Sequence, residues 1–346
     1  MERRTKVSIV VFPQSDPSIF YGVFDTLWAA GHLWNEMMGL PARPPLFDIQ
    51  IVGSQAGPMA LFTGVSIVVQ AAPQDVAKTD IVFVSNVMLK DSASLRGLDR
   101  NLLAWIRGQF EAGAHVYSAC GGSLALAEAG LLSGRDSTTH WGYVPLFRQE
   151  FPDVRLHPER ILVQTGEDQR IVSCGGASSW QDLVLYLVAR HAGPQEAVRL
   201  SRIFLYQWHR DGQLPYACLL KNAAVEDAVI REQQVWLAQN YNQPNLVATL
   251  IQRCGIPERS FARRFRAATG YTPINYIQAL RIEEAKQMLE TTDSTVEEIG
   301  REVGYQDPVS FRRLFRRLTG LSPADYRRKL RIPPPFTSER TPGRLS

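Results

Sequence analysis

The segment SFARRFRAATGYTPINY (residues 260–276) returns fifty residues further on as SFRRLFRRLTGLSPADY (residues 310–326). Nine of the seventeen positions are identical, in the pattern Ser-Phe-x-Arg-x-Phe-Arg-x-x-Thr-Gly-x-x-Pro-x-x-Tyr. Self-similarity at a fixed offset indicates that one supersecondary unit occurs twice in the chain. We therefore expect the C-terminal part to fold as two equivalent halves.

A short amphipathic helix that ends at glycine is predicted before each copy. The first covers Leu246–Cys254 before Gly255, and the second covers Val296–Val303 before Gly304. A helix, a glycine turn and a second helix form the helix-turn-helix arrangement. A linking helix, Pro273 to Leu289, is predicted between the two copies. The C-terminal domain is thus predicted to be all-α, with two helix-turn-helix motifs.

The second helix of each motif has an aromatic face and a basic face. Two phenylalanines four residues apart share one side of each helix, and we expect them to anchor it on the core. These pairs are Phe261 with Phe265 and Phe311 with Phe315. The arginines on the other faces are Arg259, Arg263, Arg264 and Arg266 in the first copy and Arg312, Arg313, Arg316 and Arg317 in the second. Such a cationic exterior suits the major groove of DNA, where phosphate contacts supply affinity and base contacts supply specificity.

The distribution of charge along the chain also bears on DNA binding. Residues 224–346 hold 19 Lys and Arg against 14 Asp and Glu, whereas residues 1–223 hold 19 against 20, so the net charge of +4 belongs to the C-terminal part. The alternative is that the arginines only solvate two surface helices. The duplicated placement of Phe, Arg, Gly and Pro favours DNA binding over that alternative.

Residues from about 226 to 331 resemble the DNA-binding domain of the AraC/XylS family of regulators. The resemblance implies a long central helix between two recognition helices that enter successive major grooves. It also implies that certain positions near the start of each recognition helix face the bases. These positions are Arg259, Ala262 and Arg263 in the first copy and Pro308, Val309 and Arg313 in the second. We expect Arg266, Arg312 and Arg316 to contact the DNA as well. Because the side chains of Pro308 and Val309 cannot donate hydrogen bonds, readout there is expected to be apolar, against thymine methyl groups.

The first 190 residues alternate short β-branched runs with helical stretches, which is typical of βαβ units around a parallel sheet. The predicted strands are Val7–Phe12, Phe47–Val52, Ile81–Ser85, His115–Ala119, Ile161–Gln164 and Ile171–Cys174. The predicted helices include Phe24–Met38, Asn101–Glu111, Leu124–Ala129 and Trp180–Ala189. The N-terminal domain is therefore predicted to be α/β.

The segment HVYSACGGSLALAEAG (residues 115–130) runs from a strand through Cys120 directly into a helix. Gly121 and Gly122 permit a tight turn at that junction, and the start of a helix lowers the pKa of a nearby thiol and attracts anions. This arrangement predicts a nucleophile elbow. Cys174 precedes Gly175 at the end of another strand and is predicted to border the same crevice.

Residues from about 6 to 190 resemble the PfpI-like, class I glutamine amidotransferase-like superfamily. The matching segments are SACGG (118–122), AEAGLLSGRDSTTHW (127–141), GGASS (175–179) and DLVL (182–185). The resemblance implies a flavodoxin-like parallel sheet and an elbow cysteine that works with a histidine, for which His140 is the candidate, and an acidic residue. Asp16 and Asp25 are the acids in the expected region, and Gly121 stands where protease-type members place histidine.

The residues leave three interpretations of this site open. In the first, a pocket binds a small anionic or amino-acid-like effector and is lined by Cys120, Gly121, Gly122, His140 and Cys174. In the second, Cys120 and His140 carry a thiol-dependent amidase or hydrolase reaction. In the third, Cys120 is a small buried residue and His140 a packing residue, as in a regulator that needs no ligand. Because fold membership does not carry function, the first interpretation is adopted.

The predicted domains are a sensor domain (6–192), a helical segment and linker (193–225), the DNA-binding domain (226–331) and a disordered tail (332–346). His209, near the predicted hinge, is predicted to be a surface residue. No apolar run reaches the length of a membrane span, and the four cysteines form no C-x-x-C pair, which argues against a zinc site and a disulfide framework. We expect no cofactor and no metal.

The sequence thus predicts a cytoplasmic, non-enzymatic transcription regulator that binds double-stranded promoter DNA. A homodimer is expected, with no membrane partner. The family resemblance implies a nitrogen-rich effector, such as an amino acid or a quaternary amine.

Overall fold

The computed structural model describes residues 3–219 and 227–331. The chain divides into two compact units, residues 1–213 and 214–346. Among the described residues, no helix combines the length and the apolar character needed to cross a bilayer. The predicted tail (332–346) lies outside the described residues, and so do residues 220–225 at the C-terminal end of the predicted linker.

A six-stranded sheet forms the centre of the first unit. The strands of this unit are β1 (Thr5–Val10), β2 (Phe47–Val52), β3 (Gly57–Ala60), β4 (Ser66–Val69), β5 (Ile81–Val84), β6 (His115–Ala119), β7 (Asp136–Ser137), β8 (Arg155–Leu156), β9 (Leu162–Thr165) and β10 (Ile171–Cys174). The order of the strands in the sheet is β2-β1-β5-β6-β10-β9. The first five strands of the sheet are parallel in the flavodoxin-like order, which confirms the predicted fold class. The edge strand β9 is antiparallel to β10, so the sheet is not wholly parallel.

Helices cover both faces of this sheet. They are α1 (Pro17–Ala29), α2 (Leu33–Met37), α3 (Ser92–Arg96), α4 (Arg100–Glu111), α5 (Gly122–Glu128), α6 (Val144–Glu150), α7 (Trp180–Ala192) and α8 (Pro194–Phe204). One buried cluster joins the sheet to α1, α7 and α8, and a second joins it to α3, α4, α5 and α6. The carboxyl ends of the parallel strands therefore open onto one edge, where β6 leads into α5.

The structure differs from the sequence predictions at three places. The predicted helix Phe24–Met38 is interrupted at Gly31, whose φ of 93° lies in the left-handed region. The hairpin formed by β3 and β4 was not predicted, because its Gly57-Pro58 start carries no strand signal. Helix α8, which falls in the predicted linker segment, packs in the first unit and buries Ala197 and Leu200.

The second unit is built of helices. They are α9 (Ala228–Asn240), α10 (Leu246–Cys254), α11 (Glu258–Thr269), α12 (Pro273–Thr291), α13 (Val296–Glu302), α14 (Pro308–Thr319) and α15 (Pro323–Leu330). Two separate hydrophobic cores lie along α12. The first contains Phe261 and Phe265 and the second Phe311 and Phe315, so the predicted aromatic anchors are fully buried.

The two halves repeat each other in detail. Phe265 meets Tyr276 edge-on at a ring-centroid distance of 5.4 Å, and Phe315 meets Tyr326 in the same way at 5.4 Å. The linking helix is two residues longer than the predicted Pro273–Leu289, because its hydrogen bonds continue to Thr291. The structure thus has the two helix-turn-helix motifs that the repeat predicts.

Candidate functional site

The second helices of the two motifs, α11 and α14, carry the predicted DNA-binding residues. The exposed residues among them are Arg259, Arg263, Arg266, Pro308, Val309, Arg312, Arg313 and Arg316, and Ala262 is half-buried. Their phenylalanines face the cores, so the side chains on the opposite faces are free to meet a ligand. Each helix begins after a glycine turn, at Gly255 (φ 63°) and Gly304 (φ 92°).

Not every arginine of these helices belongs to that surface. Arg264 donates two hydrogen bonds of 2.9 Å to the carboxylate of Asp227, which caps the start of α9 and has its pKa lowered by that contact. Arg264 therefore ties α11 to α9 and is a structural residue, contrary to the predicted basic exterior. Arg317 donates to Gln278 Oε1 at 3.0 Å. Arg312 forms an ion pair with Glu297 but stays on the exposed surface.

The first two residues of α14 have apolar side chains. Asp307 caps this helix by accepting hydrogen bonds from the backbone of Val309 (3.1 Å) and Ser310 (2.9 Å). Val309 is 68% exposed, the most exposed valine described in the chain. An apolar side chain held at a rigid, capped helix start suits contact with an apolar group such as a thymine methyl.

One arginine of α12 joins the two halves. Arg281 donates to the backbone carbonyls of Tyr241 (2.7 Å) and Gln243 (2.8 Å), in the first half, and of Gly304 (3.2 Å), in the turn of the second motif. Its guanidinium also lies 5.2 Å from the ring centroid of Tyr305. A planar guanidinium with five donors is suited to fixing several carbonyl groups at once. Arg281 therefore sets the relative position of the two motifs, a role that the sequence did not reveal.

In the first unit, Cys120 forms the predicted elbow between β6 and α5. Its φ is 54°, a left-handed conformation that costs a non-glycine residue about 1–3 kcal/mol. The amide of Cys120 donates to the carbonyl of Cys174 at 3.1 Å, which brings the two predicted cysteines together at the carboxyl edge of the sheet. Gly121 and Gly122 start α5, where a β-carbon would overlap the backbone oxygens of Val87 and Ser85.

A chain of polar contacts connects this elbow to the start of α1. The amide of Gly121 donates to Asn86 Oδ1 at 2.9 Å, and Asn86 Nδ2 donates to Asp16 Oδ2 at 2.5 Å. Asp16 also caps α1 by accepting from the amide of Ile19 at 3.0 Å. Of the two acids that the sequence offered, Asp16 thus lies at the elbow, whereas Asp25 is exposed on α1.

Burial controls the chemistry of Cys120. It raises the pKa of the thiol to about 12, because the surrounding apolar groups disfavour the thiolate, and the nearby Asp16 carboxylate adds to the rise. The amide of Gly121 acts in the opposite direction. Burial also raises the pKa of Cys174 well above that of an ordinary thiol. Both thiols are therefore protonated at neutral pH and are weak nucleophiles.

His140 lies in the loop before α6 and is partly buried. Its Nδ1 accepts a hydrogen bond of 3.0 Å from the amide of Gly142, and burial lowers its pKa. The ring is thus neutral at pH 7 with its proton on Nε2, which makes it a hydrogen-bond donor. Within residues 3–219 no hydrogen bond joins the Cys120 thiol to His140, so the predicted cysteine–histidine pair is not assembled as nucleophile and base.

A histidine that was predicted to lie on the surface belongs to this edge instead. The ring of His209 is held by the buried carboxylate of Asp182, with Nδ1 and Oδ2 2.6 Å apart, and its amide donates to Oδ1 at 2.9 Å. Nε2 lies 3.2 Å from the hydroxyl of Ser178. The prediction for His209 was therefore wrong, because nothing in the local sequence pairs it with Asp182, 27 residues earlier.

Comparison with known proteins identifies both units. Residues 250–329 match the helix-turn-helix domain family, and residues 46–151 match the DJ-1/PfpI family. A crystal structure from Vibrio parahaemolyticus, of a protein described as a transcriptional regulator, superposes with a TM-score of 0.50 at 20% identity, over 59% of this chain and the whole of that one. That likeness shows the fold.

The sequence relatives include transcriptional regulators and an enzyme. The HTH-type transcriptional regulator CdhR of Pseudomonas aeruginosa is 29% identical over 269 residues, which cover 76% of this chain and 76% of that protein. The regulator GbdR of the same species is 26% identical over 211 residues, or 61% of this chain and 56% of that protein. Isonitrile hydratase of Pseudomonas putida is 26% identical over 194 residues, or 56% of this chain and 74% of the enzyme.

The raised pKa of Cys120 predicts slow alkylation of the native protein. Cys120 is buried and, with a pKa of about 12, is almost wholly protonated at pH 8. Iodoacetamide should therefore modify it at least about 10-fold more slowly than the exposed Cys218, although partial burial raises the pKa of Cys218 as well. Mass spectrometry of peptides at timed intervals measures both rates, and the urea-unfolded chain is the control in which they converge. Equal rates in the native chain would contradict a buried, protonated thiol.

Proposed function

We propose, from the premise that this chain joins a DJ-1/PfpI-family α/β domain to an AraC-type helix-turn-helix domain, that it is a sequence-specific DNA-binding transcription regulator. The observation that carries the proposal is the pair of matched helices, α11 and α14, set on one rigid helix, α12. Helix-turn-helix proteins place such second helices in the major groove. Relatives named as transcriptional regulators align over most of the chain.

We expect the two helices to make different kinds of contact with the DNA. Arg259, Arg263 and Arg266 give α11 exposed cations that suit guanine edges and phosphates, and Ala262 lies among them. On α14, Arg312, Arg313 and Arg316 supply the cations, whereas Pro308 and Val309 present an apolar start. Because α12 fixes the two helices relative to each other, both grooves are read in a single binding event.

The α/β domain is proposed to sense a small metabolite at the edge that carries Cys120, Gly121, Gly122, Cys174 and His140. The Nε2 proton of His140 suits a carboxylate, and the ring of Trp141, 4.9 Å from that of His140, suits a quaternary ammonium group. These two contacts support a zwitterionic ligand such as an amino acid or its trimethylated form. The ligand regulates only by binding one arrangement of the protein more tightly than another.

The competing function is a thiol-dependent hydrolase that uses Cys120 and His140. Its support is the likeness of the first unit to an isonitrile hydratase. The protonated thiol and the donor role of His140 weigh against it, because a reactive cysteine needs a lowered pKa and a base. We therefore propose that the Cys120 elbow senses a ligand and catalyses no reaction, and that the protein acts in the cytoplasm as a homodimer.

An arginine at a base-facing position should contribute specificity. Arg263→Ala is expected to weaken binding of the full-length chain to its selected operator by about 1–3 kcal/mol and to relax the preference at one base pair, because a bidentate guanine contact is lost. Operator selection from random duplexes, followed by titration at fixed salt, measures the effect. Arg202→Ala on α8 is the charge-matched control. An equal loss on operator and random DNA would show that Arg263 touches only phosphate.

The exposed Val309 should read a methyl group. Replacing one thymine of the operator by uracil removes that methyl group and is expected to weaken wild-type binding by up to about 1 kcal/mol at a single position, from the transfer free energy of one apolar group. Val309→Ala should be insensitive to the same replacement. If wild type and variant respond alike at every thymine, Val309 makes no such contact.

The proposed effector site predicts ligand-dependent stability. Glycine betaine and L-arginine are suitable probes, and one of the two classes should raise the melting temperature of the full-length chain, since saturation at about 100 times Kd stabilises by about 2.7 kcal/mol. His140→Ala should abolish the shift, and His157→Ala, whose ring pairs with Asp136, should retain it. If neither probe shifts wild type, the proposed ligand class is wrong, while operator binding remains a separate measurement.

A further inference from the structure

The carboxyl edge of the sheet holds a second group of reactive side chains, formed by Ser178, His209 and Asp182. The hydroxyl of Ser178 lies 3.2 Å from His209 Nε2, and His209 Nδ1 lies 2.6 Å from Asp182 Oδ2. The three residues come from two segments that are 27 residues apart in the chain. Serine, histidine and aspartate in this order of contacts form the arrangement in which a hydroxyl becomes a nucleophile.

Burial in this group increases from the hydroxyl to the carboxylate. Ser178 is exposed, the side chain of His209 is 21% exposed and that of Asp182 only 3%. The hydroxyl is thus accessible to a substrate, whereas the carboxylate is shielded and holds the imidazole in one orientation. The amide of His209 donates to the other oxygen of Asp182 at 2.9 Å, so the backbone at the histidine is fixed as well.

The first turn of a helix supplies candidate donors for an oxyanion. Ser178 lies in a short 3-10 turn, Ala177–Ser179, that leads directly into α7. The amides at the start of a helical segment have no carbonyl acceptor within it, which makes those of Ala177 and Ser178 candidate donors. Donors placed there stabilise the negative charge that develops on a carbonyl oxygen under attack.

We propose that Ser178, His209 and Asp182 form a catalytic triad that hydrolyses carboxylic esters, a site separate from the Cys120 elbow. The oxygen of Ser178 bonds to the carbonyl carbon while its proton passes to His209 Nε2. The bond from that carbon to the alcohol oxygen then breaks, and the alcohol leaves with the proton from the imidazolium. Water repeats the same steps, which releases the carboxylic acid and restores the serine.

The surroundings indicate the kind of ester. Trp208, next to His209 in the chain, is 48% exposed, and Trp180, two residues after Ser178, packs edge-on against Tyr206 at 5.4 Å. These aromatic rings favour an ester with an apolar acyl or alcohol group. His140 lies on the other side of Gly176, where a β-carbon would approach its ring to 3.9 Å, so the two sites are neighbours.

The test uses a fluorophosphonate probe and 4-nitrophenyl acetate with the full-length chain. The expected result is a phosphonate adduct on Ser178, mapped by peptide mass spectrometry, and ester turnover that Ser178→Ala and His209→Gln reduce about 100-fold or more. Ser201→Ala on α8, whose hydroxyl donates to the carbonyl of Val198, is the matched control and should keep the wild-type rate. Asp182→Asn should lower kcat with KM unchanged, as expected for a residue that positions the imidazole.

The wild-type adduct decides the proposal even where a variant fails to fold. The proposal is overturned if Ser178 carries no label in the folded wild-type chain, or if ester turnover survives Ser178→Ala. The three residues would then have only a structural role, holding the segment around His209 on the α/β unit. Operator binding is measured separately, so the outcome is independent of the proposed regulator function.

Discussion

The packing of one helix against two hydrophobic cores is the constraint on which the C-terminal unit depends. Tyr276, Ile277 and Leu280, from the first half of α12, enter the core of the first motif, and Ile282, Ala285 and Leu289, from the second half, enter the core of the other. A helix of 19 residues is about 28 Å long, close to the roughly 34 Å of one turn of DNA. The separation of the two recognition helices is therefore set by a rigid element. A flexible linker of the same reach would lose affinity through the conformational freedom that binding removes.

The two copies of the motif share a fold but expose different side chains. The two copies share the buried phenylalanines, the tyrosine partners and the glycine that ends the recognition helix, because these residues determine the fold of each half. The exposed positions differ, since only the first copy has an arginine near its helix start, Arg259, where the second has Val309. Arg264 is held by Asp227, and Leu314 takes the equivalent position in the second copy, where it is buried. The conserved frame thus leaves each half free to contact a different base sequence.

The sequence predicts those features whose signals are local. The repeat revealed the two motifs, and β-branched runs located all six strands of the main sheet to within two residues, because burial of a strand imposes its own composition. In the chain, Asp16 and Asn86 are 70 residues apart, and Asn86 and Gly121 are 35 residues apart. Asp182 and His209, which also pair, are 27 residues apart. Such contacts depend on how the strands are ordered, which no local pattern records. The antiparallel direction of β9 was missed for the same reason.

At Cys120 the backbone has the geometry of a nucleophile elbow, but the thiol lacks the reactivity of a nucleophile. The left-handed φ of this residue costs energy, and the structure around it, from the Cys174 carbonyl to the glycines of α5, maintains it. Yet the thiol is protonated, and Nδ1 of His140 already accepts a hydrogen bond from the amide of Gly142. The strained backbone of Cys120 therefore needs a structural explanation. The turn places the start of α5 close to the ends of β5 and β6. That placement keeps the sheet edge open beside Gly176, where His140 lies on one side and Ser178 in the turn that follows it. The side chains that we propose to contact a ligand or an ester, His140, Trp141 and Ser178, therefore lie in the loops and turns around the cysteine.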